Sequence, residues 1–461
     1  MQNFDVVIIG AGPGGYVAAI RASQLGKNVA VVEKEHLGGV CLNWGCIPTK
    51  ALLRSAEVLH LINHACEFGI EVGSVKFDLS KMVERSRKIS AQLSTGIKGL
   101  LAKNKVAVFN GEAIFENATT LKIKGEKPET LVAKNIIIAT GASARMLPSV
   151  ENHPRIWTAK QAMTPEFTPK SLLVIGSGAI GIEFASFYRT LGVEVTVVEM
   201  QPKILQNEDA EISALAQKQF EKQGIKFYLS ATSHLTPSKD HVSAIINKDG
   251  KEIANITVDA VIVAIGIVGN TQNLGLEKTK VKTEKGQILV DQWCETAEKG
   301  VYAIGDVAGA PWLAHKASHE AILAVEHIVG IKNLHPINKN NIPGCTYSHP
   351  QIASIGLTEE KAKAQGHTLK LGRFPYRANG KAIAMGETEG LIKTIFDAKT
   401  GELLGAHMIG AEVTELIQGF AIGKTLETTE AELMQTIFPH PTLSEMMHES
   451  TLDAYGRVIH Y

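Results

Sequence analysis

The chain has 461 residues, 44% of them hydrophobic, and balances 47 Lys and Arg against 47 Asp and Glu. That length implies about three or four units of ~100–200 residues each. A net charge of zero, with no basic block and no acidic tail, excludes the electrostatic footprint of a nucleic-acid partner. Apolar stretches such as "AVIVAIGIVG" are broken by glycine and fall short of the ~18 residues that suggest a membrane helix.

The first residues, "MQNFDVVIIG", have no basic leader region and become strand-like at Phe4. They do not read as a targeting peptide, so a cytoplasmic protein is expected, with a processed mitochondrial-matrix form as the alternative. From Val6, "VVIIGAGPGGYVAAIRASQLGKNVAVVEK" predicts a buried strand, a glycine-rich turn, a helix and a second strand ending at Glu33. The same pattern returns from Leu172 as "LLVIGSGAIGIEFASFYRTLGVEVTVVEM", without a gap and at a constant offset of 166. Gly10, Gly12 and Gly15 fall on Gly176, Gly178 and Gly181, and Glu33 falls on Glu199.

Each copy is therefore a βαβ unit with G-x-G-x-x-G and a closing acid. The first glycine permits the tight turn, the second a close approach to a pyrophosphate, and the third the packing of helix on strand. The pyrophosphate would sit at the helix N-terminus, where unpaired N–H groups and the helix dipole favour negative charge. The carboxylate accepts from a ribose hydroxyl. Two such sites in one chain suggest an electron relay between two nucleotide cofactors. Glu199, followed by Met200 and Gln201 with no arginine, favours NAD over NADP at the second.

Between the copies lies "GGVCLNWGCIPTK", with Cys41 and Cys46 as two of only five cysteines. Zinc argues for closer cysteine spacing and a second pair, and packing alone does not explain two thiols in a glycine-rich turn. A structural bridge is redundant in a large domain. A working redox pair fits best. A non-helical loop over Leu42–Gly45 would bring the cysteines within bonding reach, since the two Cα atoms of a disulfide stand ~4.4–6.8 Å apart. A helix starting near Pro48 would lower the pKa of Cys46 from its positive end. The pair follows Glu33 closely and so belongs near the first nucleotide, where a flavin could take two electrons from the dithiol.

Further along, "NIIIAT" runs into Gly141, "AVIVAI" into Gly266 and "VYAI" into Gly305-Asp306. Segments near residues 164–169 and 335–345 read as boundaries. Beyond residue 345 short strand-like and helix-like runs alternate without a nucleotide motif, a mixed α+β unit. In "FPHPTLSE", His440 stands between two prolines and Glu445 could hold its ring, as in a catalytic triad.

With these motifs in this order, the chain resembles the dihydrolipoyl dehydrogenases, within the flavoprotein disulfide reductase family. "GAGPGG", "GGVCLNWGCIPTK", "GSGAIGIEFA", "AIGDVAG" with "WLAHKA", and "HPTLSE" carry the likeness over essentially the whole chain. The resemblance implies an α/β fold with two Rossmann-like dinucleotide-binding domains and a C-terminal α+β dimerisation domain. Its divisions would be 1–145 (FAD, with the redox disulfide), 146–270 (NAD), 271–343 (central) and 344–461 (interface). Cys41 would face substrate and Cys46 the flavin. FAD would be held by Gly10, Gly12, Gly14, Gly15, Glu33, Lys50, Ala113, Gly141, Asp306 and Ala314. NAD would be held by Gly176, Gly178, Gly181, Glu183, Glu199 and Gly266, with Glu183 also pairing with Lys50.

His440 and Glu445 would act as base and orienter on the partner subunit's cysteines in a homodimer, and no metal is implied. The partners implied are lipoyl domains and the acyltransferase core of 2-oxo acid dehydrogenase complexes. The lack of arginines beside Glu199 argues against NADP-linked glutathione and trypanothione reductases, and the ending "YGRVIHY" against a mercuric type. One departure stands out. After "AIG" the family shows Arg-x-Pro-Asn, whereas this chain has Ile267-Val268-Gly269-Asn270.

Overall fold

The computed structural model describes residues 1–150 and 153–461. The chain forms two compact units: Met1–Leu52 with Leu79–Arg145 and Gly266–Ile337, and Leu53–Asp78 with Met146–Ile265 and Asn338–Tyr461.

The first unit is organised by a parallel sheet whose strands are buried on both faces, as continuous apolar runs require. Gln2–Ile9 lies at its centre, flanked by Val29–Glu33 and Glu129–Ile138, with Ala107–Asn110 outside the former. Val301–Ala303 pairs in parallel with Glu129–Ile138, and Glu112–Asn117 and Thr120–Lys124 complete the sheet as an antiparallel ribbon. Alternation sorts the central strand between two cores. Val6 and Ile8 face the helices Pro13–Gln24 and Ala314–Val329, while Val7 and Ile9 face Phe115, Leu121 and Ile123.

The second unit repeats the parallel theme with Ser171–Ile175 central, Glu194–Glu199 and Lys226–Leu229 on one side and Ala260–Val263 on the other. A five-stranded antiparallel sheet follows, ordered Gly344–Thr346, Gln351–Gly356, Leu403–Gly410, Leu391–Asp397, Leu369–Pro375. Its two innermost strands are buried at every position. They pack in a core with Phe420 of the helix Val413–Thr425 and Met446 of the helix Glu445–Ala454. The α/β class is as the sequence implies. Among the described residues no helix is long and apolar enough to cross a membrane.

Candidate functional site

The repeated glycines do the same work in both copies. Gly10 and Gly176 sit in the left-handed region, at φ +100° and +97°, and a Cβ there would strike the carbonyl oxygen of Ala139 or Ala264 at 2.4 Å. Gly15 and Gly181 pack on the turn itself, where a Cβ would lie 1.9 and 2.0 Å from the oxygens of Gly10 and Gly176. Gly12 and Gly178 are the N-caps of the helices Pro13–Gln24 and Ala179–Thr190 and make no side-chain cap, so the first N–H groups point outward. Pro13 at the first helical position loses nothing, because that N–H has no helical partner.

The two acids match atom for atom. Glu33 accepts from Ala11 N at 2.7 Å and Glu35 N at 2.8 Å, and Glu199 accepts from Ser177 N at 2.8 Å and Gln201 N at 2.9 Å. Both carboxylates are held at the mouth of their turn; Glu199 Oε2 also accepts from Ser177 Oγ at 2.8 Å, so its Oε1 is the oxygen that keeps a lone pair for a hydroxyl. Each copy thus has the open N–H groups, the close backbone approach and the acid that a dinucleotide requires. The residues present fit FAD in the first unit and NAD in the second.

Gly14 lets the helix Ala314–Val329 cross closely, since a Cβ there would lie 3.2 Å from Ala317 O. Asp306 is in the turn after Val301–Ala303, and Ile304 N bonds Ile138 O at 3.0 Å, so it lies at the same carboxyl end of the sheet as Gly10. Burial raises its pKa, against the pull of Lys316. Lys316 and Glu320 went unassigned in the sequence reading. Lys316, with 2% of its side chain exposed, pairs with Glu320 at 3.0 Å and donates to Gly309 O at 2.8 Å. Glu320 in turn accepts from Gly305 N at 2.7 Å. Together they clamp the Asp306 turn, and the available signal was a Lys–Glu pair at i,i+4 on an otherwise apolar helix face. Ala314 opens that helix and Ala113 is buried on Glu112–Asn117.

The departure after "AIG" has a steric reason. Ile267–Gly269 pairs with Ala142–Ala144 beside Gly141, and Arg145 N bonds Gly266 O at 2.9 Å. A Cβ on Gly269 would lie 2.3 Å from Gly286 O, which bars proline or any other side chain. Asn270 ties the two strands, donating to Thr140 O at 2.9 Å and accepting from Ser143 Oγ at 2.7 Å.

The expected loop between the cysteines is instead a helix. Gly39–Trp44 is helical, Gly45 alone breaks it, and Cys46–Asn63 begins directly, placing Cys46 at the first helical position and Pro48 at the third. The sharp break does what a loop was expected to do, and Gly45 allows it because a Cβ would crowd Val40 O at 3.1 Å. The segment starts against the first nucleotide turn. Gly38 N bonds Ala11 O at 2.8 Å, and a Cβ on Gly39 would lie 2.6 Å from Gly12 Cα.

No sulfur–sulfur bond joins Cys41 and Cys46. A hydrogen bond to Cys46, then burial, pushes the Cys41 thiol far above its ordinary pKa, with Lys50 pulling weakly the other way. Cys46 stands at the N-terminus of the second helix, beside Cys41. Lys50 lies one turn further along that helix.

In the second unit Glu183 is buried and accepts from Tyr347 N at 2.9 Å. His440 Nδ1 lies 2.8 Å from Glu445 Oε1, and Glu445 Oε2 accepts from Thr442 N at 2.8 Å. The ring is 76% exposed, leaving Nε2 open to a reactant. Burial opposes ionisation of Glu445, but Thr442 N–H and His440 hold its pKa below the usual carboxylate value. Among the described residues no group of three or more His, Cys, Asp or Glu stands where it could hold a metal.

A protein from Rhizobium etli named dihydrolipoyl dehydrogenase is 55% identical over 477 aligned residues, covering 99% of each chain. A second of that name, from Zymomonas mobilis, is 55% identical over the full length of both. Among solved structures, LpdA from Mycobacterium tuberculosis has a TM-score of 0.90 at 28% identity, covering 98% of this chain and 99% of that one. The pyridine nucleotide-disulphide oxidoreductase model matches residues 4–321 and its dimerisation-domain model residues 342–451. With the doubled nucleotide turn and the cysteine pair docked on the first, the chain belongs to the pyridine nucleotide-disulphide oxidoreductase family.

Proposed function

We propose that this chain is an FAD-dependent, NAD-linked dihydrolipoyl dehydrogenase that oxidises protein-bound dihydrolipoamide through Cys41 and Cys46. The observation that carries the reading is the cysteine segment seated on the Gly12 turn, with Cys41 hydrogen-bonded to Cys46 at a helix N-terminus. Two full-length relatives named for that activity support it. When bound, FAD supplies the acceptor for the dithiol's two electrons and NAD⁺ the hydride acceptor that follows.

The chain's own residues handle thiols and protons. His440 Nε2 takes a proton from one substrate thiol, and the thiolate attacks Cys41 of the oxidised pair, releasing Cys46 as thiolate. The second substrate thiol then displaces Cys41, closing the lipoyl disulfide and leaving the enzyme dithiol. Glu445 keeps the ring's proton on Nδ1 and stabilises the imidazolium. Asp306, Glu33, the Gly10–Gly15 turn, Lys50, Gly141, Ala113 and Ala314 would hold FAD. The Gly176–Gly181 turn, Glu183, Glu199 and Gly266 would serve NAD.

The dimerisation domain supports a homodimer. We assign His440 and Glu445 to the partner subunit's cysteines, and lipoyl domains on an acyltransferase core as the physiological substrate. The test is NADH formation from dihydrolipoamide and NAD⁺, followed by absorbance. Glutathione disulfide reduction with NADPH in its place would overturn the reading.

A further inference from the structure

The six-residue helix that carries Cys41 is too short to stand alone, since isolated helices below ~12–15 residues are marginal in water. Its support comes from one face of the long helix Leu79–Lys103. Arg87 Nη2 donates to Asn43 O at 2.5 Å, and its guanidinium stacks on the Trp44 ring at 4.2 Å. Asn43, itself buried, donates from Nδ2 to Leu37 O at 3.1 Å and Gly39 O at 2.9 Å. Ser94 Oγ bonds Leu37 O at 3.0 Å and Asn43 Oδ1 at 3.1 Å. Every one of these contacts lands on the segment between Leu37 and Trp44.

The chemistry suits the place. The last carbonyls of a helix have no partner within it and carry its negative pole, so a cation there is favoured twice, by hydrogen bond and by dipole. Trp44 gives the same guanidinium an aromatic face. Among the described residues Arg87 Nη1 is buried without a partner, and the Asn43 hydrogen bond and the Trp44 ring are the contacts that anchor this guanidinium. Trp44 ends the helix that carries Cys41, and one residue, Gly45, lies between that helix and the one Cys46 opens, so the place of Trp44 bears on the spacing of the pair.

We propose that Arg87, stacked on Trp44, is a positioning residue that holds Cys41 in disulfide-forming register with Cys46 and so lowers the reduction potential of the pair. The proposal rests on the reading of Cys41 and Cys46 as a redox pair. A braced dithiol loses little freedom when its sulfurs join, whereas an unbraced one loses more and oxidises less readily. The relevant exchange transfers two electrons: two glutathione thiols reduce the Cys41–Cys46 bond, each cysteine gains a proton, and glutathione disulfide forms.

The test equilibrates the flavin-loaded protein in glutathione buffers of set ratio, quenches with acid, and counts alkylated Cys41 and Cys46 by mass. In Arg87→Ala the constant for reduction should rise about tenfold, roughly 30 mV towards a more oxidising couple. Trp44→Val should move it the same way by less. Arg87→Lys, which keeps the charge but not the planar fork, should fall between Arg87→Ala and wild type. An unchanged constant in Arg87→Ala overturns the proposal, even if thermal stability drops. Should Arg87→Ala not fold, unchanged constants in Arg87→Lys and Trp44→Val overturn it equally. Failure of the wild type to form the disulfide at any ratio would instead overturn the underlying redox reading.

Discussion

Glu445 holds His440 by one carboxylate oxygen, at 2.8 Å from Nδ1, while its other oxygen is tied to Thr442 N. The ring therefore cannot turn without breaking a bond that the backbone has aimed. A carboxylate at Nδ1 selects the tautomer with a basic Nε2, and its depressed pKa keeps it ionised through the neutral range. Replacing His440 with Ala should slow dihydrolipoamide oxidation ~10²–10⁴-fold, the usual worth of a general base. Flavin content should not change. Glu445→Gln should approach the same loss, because an amide can present N–H to Nδ1 and so protonate Nε2. Stopped-flow reduction of the bound flavin by dihydrolipoamide is the measurement, and turnover near wild type in either variant would remove the dyad from the chemistry.

The Cys41 proton is held chiefly by Cys46, then by burial and by the charge on Cys46. Removing the partner in Cys46→Ala takes away the first and third causes, and Lys50 then acts on Cys41 against burial alone. The pH midpoint for iodoacetamide alkylation of Cys41 should fall relative to the reduced wild type. A midpoint that stays or rises would mean that Cys46 is not what holds the Cys41 proton.

How much of this could be read in advance depends on whether the cause is local. Gly15 and Glu33, with Gly181 and Glu199, are legible because each answers to atoms of its own turn, and the second copy repeats the first; that Gly10 and Gly176 must also clear Ala139 O and Ala264 O is not visible locally. The helix through Leu42–Trp44 is not legible either. Flanked by Gly38, Gly39 and Gly45 it looks like a loop, and what makes it helical is the support of Arg87 and Ser94, far along the chain. The role of Lys316 is not legible in "WLAHKA", since nothing local says that its charge points inward to Gly309 O.

The third glycines offer a test that separates the two nucleotide turns. An alanine at Gly181 would put its Cβ 2.0 Å from Gly176 O, and one at Gly15 would sit 1.9 Å from Gly10 O. Helix and turn must then part, at a cost of about 1–3 kcal/mol for each overpacked site. Gly181→Ala should weaken NAD⁺ and NADH binding at least tenfold in titrations while the protein stays yellow. Gly15→Ala should lose flavin on gel filtration. Retention of both cofactors at wild-type affinity in both variants would contradict the roles given to the turns.

Under the proposed function, the nicotinamide preference is assigned to Glu199. Its carboxylate is held in place by Ser177 and Gln201 N–H groups, so it cannot swing aside for a 2′-phosphate. Glu199→Ala should lower the kcat/KM ratio of NAD⁺ to NADP⁺ by one to two orders of magnitude, roughly 1.4–2.7 kcal/mol at 1.36 kcal/mol per decade. An unchanged ratio would locate the discrimination elsewhere.

Lys393 joins segments distant in sequence within the second unit. Its ammonium, 2% exposed, lies 2.8 Å from Asp209, 3.0 Å from Glu211 and 2.7 Å from Glu359. Burial opposes the charges on Asp209, Glu211 and Lys393, yet hydrogen bonds prevail: Lys393 lowers Asp209, Arg373 and then Lys393 lower Glu211, and the carboxylates raise the lysine. Glu359 is lowered first by Lys363, then by Lys393. A depressed carboxyl contributes stability that is complete above its ordinary value, 3.8 for Asp and 4.5 for Glu, and is lost as pH falls through the folded value. The raised lysine contributes below its ordinary 10.5, and that contribution fades as pH climbs through the folded value. The network should therefore stabilise the unit from about pH 5 to about pH 10 and weaken in acid. Lys393→Met leaves Asp209 buried without its lysine while Arg373 stays paired with Glu211 and Glu359, which should cost about 3–5 kcal/mol. Urea unfolding of the variant at pH 7 and pH 4 should show the deficit shrinking in acid, as the stranded carboxylates take up protons. A deficit that is absent, or that grows on acidification, would mean that the charges are not what binds these segments together.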